Sequence, residues 1–237
     1  MDEKFSRSTA LLGSEVMEAL RTKRVIIFGV GGVGSVAAEA LIRTGLMHLT
    51  MVDDDDVQAS NINRQIQAIP SAIGQPKVEA LKEKLMQINP EAEIVTRCER
   101  VNEDWLKQNG LEGFDYVIDA IDSVSDKTDL IIYASRARKM KIFSSMGAAF
   151  RFDPTQIRVA ELFDVKGDAL AKAVRERMKK IGMKPRKKIK CVYSMEQSQK
   201  PKVESTEPIK GSLMQVTAVF GCVLASLVIR EASGTPN

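Results

Sequence analysis

The stretch Arg24-Val25-Ile26-Ile27-Phe28 is a short apolar, β-branched run that passes directly into Gly29-Val30-Gly31-Gly32-Val33-Gly34. No other feature limits the fold so strongly. The run has the character of a strand buried on both faces of a parallel sheet. Ser35 to Thr44 follows with Ala37, Ala38, Ala40, Leu41 and Ile42, good helix material closed by Gly45. Leu49 to Val52 reads as a second strand ending at Asp53, which completes a βαβ unit.

The alternation continues along the chain. A helix is expected from about Lys77 to Ile88, stopped by Asn89-Pro90, then strands at Glu93 to Thr96 and Tyr116 to Ala120. A helix over Asp129 to Arg138 and a strand over Lys141 to Ser144 extend a doubly wound, Rossmann-like α/β pattern. The expected fold is a largely parallel sheet with a C-terminal strand and helix extension. It is one domain over 1–237, with a nucleotide-binding core over 1–150 and a substrate-binding and dimerisation extension over 151–237. In that extension Gln156 to Leu162 alternates like a half-exposed strand, and Asp168 to Lys180 reads as a basic helix. Gln197 to Lys210 reads as a mobile surface loop. Leu213 to Ile229 is interrupted by Gln215, Thr217, Gly221 and Ser226 and is expected to be a buried helix, not a membrane span.

Charge is concentrated in one segment. Residues 175–190 hold nine basic side chains and one acid, Glu176, a local charge of +8 in a chain of net +4. Lys179, Lys180, Lys184, Arg186, Lys187, Lys188 and Lys190 are therefore candidates for contact with an RNA backbone. Three widely spaced cysteines, Cys98, Cys191 and Cys222, argue against a disulfide framework and cannot form a four-thiolate zinc site. With no secretory pattern in the first residues, the expected compartment is the cytoplasm. Cys191 follows the cations and could have a lowered pKa, although a structural thiol is the simpler reading. Tyr193 is a base-stacking platform or a core tyrosine, and Trp105 reads as packing.

In a glycine-rich turn between strand and helix, missing side chains let phosphates approach the backbone, and the helix N-terminus offers free N–H groups. Gly29, Gly31 and Gly34 fit that geometry, and Asp53 lies where a carboxylate accepts ribose hydroxyls. The chain then continues Asp54-Asp55-Asp56 and Ser60-Asn61-Ile62-Asn63-Arg64-Gln65, more acid than a dinucleotide site needs. Lys77 opens a helix, where a cation is disfavoured unless an anion is close, and a triphosphate would supply one. Asp122 follows a strand at its carboxyl end and is a candidate Mg²⁺ ligand.

Phe5-Ser6-Arg7, the glycine loop, Asp53-x-Asp55, Ser60 to Gln65, Gly74-x-x-Lys77 and Asp119-x-x-Asp122 together resemble the ThiF/MoeB-like adenylating superfamily, related to ubiquitin-activating enzymes. The resemblance covers most of the chain. It implies ATP with Mg²⁺, attack of a substrate carboxylate on the α-phosphate, and release of pyrophosphate. Gly29, Gly31, Gly32, Gly34, Asp53, Asp55, Asn61, Arg64, Lys77, Asp122 and Ser123 would contact the nucleotide. Arg7, Arg64, Lys77 and Asp122 would be catalytic, with Arg7 reaching into the partner subunit of a homodimer. A monovalent cation and a cysteine desulfurase/sulfur-acceptor system are further expectations of the resemblance.

The chain departs from the superfamily's Asp-Asn-x-x-x-Arg pattern at Asp122-Ser123-Val124-Ser125-Asp126-Lys127, and zinc cysteine pairs are absent. Ala120 to Val124, Asp153-Pro154-Thr155-Gln156-Ile157 and Cys191-Val192-Tyr193-Ser194 are instead similar to the tRNA-acting branch, the threonylcarbamoyladenosine dehydratases (cyclases). A threonine carboxylate on a modified adenosine could be adenylated, and its own ureido oxygen could then displace AMP. Such an intramolecular step needs no enzyme cysteine. Adenylation of the C-terminal glycine of a ubiquitin-like sulfur carrier, or nucleotide binding without catalysis, are the other readings.

Overall fold

The computed structural model describes residues 3–199 and 210–234. Its strands are β1 (Arg24–Phe28), β2 (His48–Val52), β3 (Glu93–Arg97), β4 (Tyr116–Asp119), β5 (Lys141–Ser145), β6 (Ile157–Glu161) and β7 (Lys190–Ser194). Its helices are α1 (Ser6–Leu12), α2 (Ser14–Arg21), α3 (Gly34–Thr44), α4 (Lys77–Ile88), α5 (Glu103–Asn109), α6 (Val124–Arg136), α7 (Ala169–Lys180) and α8 (Met214–Ala232). The seven strands form one sheet in the order β3-β2-β1-β4-β5-β7-β6. All neighbours are parallel except β6, which runs antiparallel to β7 at the edge.

Period-two alternation explains why β1 is apolar from Val25 to Phe28. Val25 and Ile27 enter the core under α3, α4 and α8, whereas Ile26 and Phe28 enter the opposite core under α5, α6 and α7. Trp105 closes the second core edge-to-face on Phe28, with centroids 5.5 Å apart. The chain beyond residue 150 shares this sheet and these cores, because β7 pairs with β5 and α8 packs beside α3.

The helix α8 passes the length and apolarity test for a membrane span, yet its Val216, Phe220, Leu224 and Val228 are all fully buried in the core. This spacing of four places one face against α3. The approach is so close that a Cβ on Gly221 would lie 2.5 Å from the Val33 carbonyl oxygen. The expected buried helix is therefore present.

Three expectations needed adjustment. The helix placed at Asp129 begins at Val124, and the polar Asp126 and Lys127 of its first turn are buried and paired. A short α5 appears where none was expected, held by the Asn102 side chain accepting the Trp105 N–H at 2.8 Å. The sheet also gains β7 between β5 and β6, so the half-exposed strand β6 lies at the edge and not beside β5. Most of the segment read as a mobile loop, residues 200–209, lies outside the described residues.

Candidate active site

Strand order reverses between β1 and β4, and ligands bind beyond the carboxyl ends of strands at such a switch. A cleft of about 740 Å³ opens there. Gly29 has a φ of +83°, and a Cβ on it would lie 2.8 Å from the Ala120 carbonyl oxygen. Only glycine lets the β1 turn sit against the end of β4. Gly29, Gly31 and Gly32 line the cleft. Gly34 is not among the lining residues. It is buried, and a Cβ there would lie 1.8 Å from the Gly29 carbonyl oxygen, so it serves the packing of α3 on the turn.

Asp53 follows β2 with both oxygens engaged, Oδ2 accepting the Val30 N–H at 2.7 Å and Oδ1 the Asp55 N–H at 3.0 Å. Burial raises its pKa above the usual value, opposed by the positive charge of Lys77 and by these N–H bonds. The Lys77 side chain is 8% exposed and its Nζ lies 2.6 Å from Asp55 Oδ2. Asp55 is thus the anion that satisfies this cation within the chain. Asn61 is buried and accepts the Gln58 N–H at 3.1 Å, which fixes the turn carrying Arg64. Arg64 Nη1 donates to the Ser60 carbonyl and to Asn63 Oδ1, each at 2.9 Å. Asp53, Asp55, Asn61, Arg64 and Lys77 all face one cleft.

From the β4 side, Asp122 and Ser123 also line the cleft. Asp122 is exposed, and Lys210 Nζ donates to its Oδ2 at 2.8 Å. Partial burial pushes its pKa up, but the Lys210 hydrogen bond and charge hold it below the ordinary value. One such carboxylate, with phosphate and water oxygens, suits Mg²⁺, which rarely takes an all-protein cage. Ser123 Oγ lies 3.1 Å from Ser125 Oγ, which donates to Asp126, and Asp126 in turn accepts two hydrogen bonds from Arg100.

Several lining residues escaped the sequence reading. Arg100 and Lys210 are among them, and so is a second lobe beyond β5 built from Gly147 to Arg151 and Gly167 to Leu170. Arg100 and Lys210 carry no motif, and only the folded chain brings them to the cleft.

Arg7 is exposed on α1 and does not line the cleft of its own chain. Phe5, two residues earlier, packs beside Gly45 at the end of α3 remote from the glycine turn. The basic segment is also remote. The helix α7 starts at the cleft and runs about 18 Å toward the opposite ends of the strands, where Lys190 opens β7. Lys179, Lys180, Lys184, Arg186 and Lys188 are exposed there, but Lys187 is half-buried. Its Nζ donates to the Ala137 carbonyl at 2.8 Å and to that of Met140, and burial lowers its pKa. Lys187 belongs to the fold. Cys191 is fully buried and its thiol is pushed well up by burial, against the reading of a reactive thiolate. Tyr193 is a core residue.

The sequence pattern of the ThiF family matches residues 5–237. The chain is 36% identical to the tRNA threonylcarbamoyladenosine dehydratase of Escherichia coli K12 over 250 aligned positions, covering 97% of this chain and 93% of that one. It is 40% identical to the dehydratase of Bacillus subtilis over 196 positions, covering 83% and 76%. The crystal structure of the E. coli enzyme, TcdA, in complex with ATP superposes with a TM-score of 0.90 at 36% identity, covering 98% and 94%. With the Rossmann-like sheet, the glycine turn and the Asp53, Lys77 and Asp122 cleft in place, this chain belongs to the ThiF family.

Proposed function

We propose that this chain is an ATP-dependent enzyme that cyclises N6-threonylcarbamoyladenosine in tRNA with loss of water. The observation that carries the reading is the single cleft at the β1/β4 switch, which gathers Asp53, Arg64, Lys77 and Asp122 in a chain alike nearly end to end to dehydratases. ATP lies with its ribose toward Asp53 and its phosphates over Gly31 and Gly32. The threonine carboxylate attacks the α-phosphorus, the bond to the β-phosphate oxygen breaks, and pyrophosphate leaves. The ureido group then attacks the activated acyl carbon and displaces AMP. Its proton is released, so the substrate loses one water in total.

Arg64 and Lys77 face the charge that develops on the α-phosphate, and preorganised charge of this kind is usually the largest catalytic contribution. Asp55 holds Lys77 in position until the phosphates share it. Asp122 would hold Mg²⁺, which neutralises phosphate charge when bound. Opening Asp122 to the metal requires Lys210 to yield or to move onto the phosphates. Adenylation of a sulfur-carrier protein by way of a thiol finds no support in Cys191, and a sulfur-acceptor partner would have to meet the exposed Cys98 or Cys222.

The chain acts as a homodimer in the cytoplasm. Arg7 lies at the far end of α3 from its own cleft, so its catalytic use requires a second copy. The outer face of α8, with Val219, Cys222 and Val223, supplies apolar surface for that association. The exposed cations from Lys179 to Lys188 meet the RNA backbone away from the reacting nucleotide.

The reading is tested with tRNA carrying the threonylcarbamoyl group, ATP and Mg²⁺, followed by nucleoside mass spectrometry. A product lighter by one water, formed with AMP and pyrophosphate and without a covalent enzyme intermediate, is expected. An unchanged nucleoside with bound ATP would overturn it.

A further inference from the structure

The second lobe of the cleft contains a buried cation without a full complement of partners. Arg151 lines the lobe and is only 5% exposed. A guanidinium has five N–H donors in a fixed fork. Among the described residues only Nη2 has acceptors in reach, the Gly167 carbonyl at 3.4 Å and Asp168 Oδ2 at 4.0 Å. Nε and Nη1 are buried and have no hydrogen-bond partner among the described residues. Burying a charge in that state is costly, and native interiors avoid it unless something arrives to complete the set.

The neighbouring acids are already committed elsewhere. Asp168 Oδ1 caps α7 by accepting the Ala171 N–H at 2.8 Å, and its Oδ2 accepts the Gly147 N–H at 3.0 Å. Glu196 Oε2 accepts the N–H groups of Phe152 and Asp153 at 2.8 and 2.9 Å. These carboxylates set negative charge near Arg151 and hold the loop, while its Nε and Nη1 keep no acceptor among the described residues. Gly147, Ala148 and Ala149 line the cleft together with it, and Gly147 packs closely on the acid, since a Cβ there would lie 3.2 Å from Asp168 Oδ2. Phe150 has a φ of +58°, the single non-glycine left-handed residue among those described, and it directly precedes Arg151. The chain accepts that strained conformation where it turns the arginine into the lobe.

The nucleotide has its own cations in Arg64 and Lys77 at the glycine turn. Arg151 lies instead on the segment that follows β5, which lines the same cleft but carries neither the glycine turn nor the acids that follow β2. We propose that Arg151 is the anion anchor of this second lobe and receives an oxyanion of the acyl-bearing substrate, a carboxylate or a phosphodiester, and not of ATP. The assignment of that oxyanion to the substrate rests on the adenylation reading above. The fork of Arg151 suits either anion by paired N–H donation.

The experiment uses the full chain with α,β-methylene-ATP filling the nucleotide lobe. Inorganic phosphate and acetate are titrated separately while thermal unfolding is followed. Wild type should be stabilised by at least one anion in a saturable manner, Arg151→Gln should not, and Arg151→Lys should keep part of the effect. Equal stabilisation of wild type and Arg151→Gln, or none in wild type, overturns the anchor whether or not the enzyme acts on tRNA. The second arm compares threonylcarbamoyladenosine as a nucleoside with an oligonucleotide containing it. Arg151→Gln should raise the KM for substrate roughly 10- to 100-fold, with the KM for ATP unchanged. Loss on both substrates identifies the carboxylate, and loss on the oligonucleotide alone identifies the phosphodiester. A raised KM for ATP with unchanged substrate KM overturns the proposal. Wild type that shows the anion effect but makes no cyclised product instead overturns the tRNA reading and leaves the anion site standing.

Discussion

Lys127 Nζ lies 2.7 Å from Asp119 Oδ2, and neither side chain reaches solvent. Ser144 Oγ donates to the same carboxylate oxygen at 2.6 Å, Asp119 Oδ1 accepts the Ile121 N–H at 3.1 Å, and Lys127 also donates to the Ser145 carbonyl at 2.8 Å. The pair thus ties the ends of β4 and β5 to α6, one turn of chain before Asp122. A buried pair adds little over an apolar replacement, but removing one partner strands a charge.

Lys127→Met is accordingly expected to lower stability by about 3–5 kcal/mol, and adding Asp119→Leu should restore a large part of it. Urea unfolding of the three proteins measures this. If the double variant is no more stable than Lys127→Met, charge pairing is not what holds the loop.

Gly34 and Gly31 separate packing from binding in the glycine turn. Gly34→Ala forces a Cβ to within 1.8 Å of the Gly29 backbone, whereas at Gly31 the nearest atom to a Cβ is Gln65 Nε2 at 3.8 Å. Gly34→Ala should open the turn, lowering the melting temperature and weakening ATP at least 10-fold, and Gly31→Ala should leave the melting temperature unchanged. Differential scanning fluorimetry with and without ATP reads both, and an unaltered Gly34→Ala protein would contradict the close packing.

The basic edge is expected to divide into two kinds of lysine. Charge reversal at the exposed Lys184 and Lys188 should flatten the slope of log affinity for tRNA against log salt by about two to four, since each lost phosphate contact removes about one and reversal adds repulsion. Lys187→Ala should instead cost about 1–3 kcal/mol of stability, because two carbonyls lose a buried donor. Filter binding across a salt series and denaturant titration distinguish them. Identical salt slopes for wild type and the double reversal would remove this edge from RNA binding.

Burial raises the Tyr116 pKa from 10.0 to about 12, with help from Glu231 and Asp115. The unfolded chain ionises this phenol near 10 while the folded chain keeps it neutral, so its contribution to stability is constant below pH 10 and is lost between 10 and about 12. The loss amounts to at most about 2–3 kcal/mol at two pK units. Tyr116→Phe should therefore flatten the alkaline fall in melting temperature over that range, and parallel curves for the two proteins would refute the account.

The strand-turn-helix at residues 24–44, the acid at Asp53 and the paired Gly74-x-x-Lys77 were legible because each depends on neighbours within a few residues in the chain. A missing Cβ, a helix N-terminus and period-two apolarity are local requirements, so local sequence reports them. The buried helix over residues 214–232 was legible for the same reason, its apolar residues interrupted by polar ones at helical spacing. Tertiary structure alone decided the rest. Sequence could not say that β7 enters between β5 and β6, with the basic segment leading into it at the strand ends opposite the cleft and Lys187 turned onto backbone carbonyls. Nor could it give Lys127 to Asp119, Lys210 to Asp122, or Arg151 to the second lobe, since charged residues read locally as solvated surface. Whether such a group is buried depends on strands distant in sequence, and burial is what makes its charge need a partner.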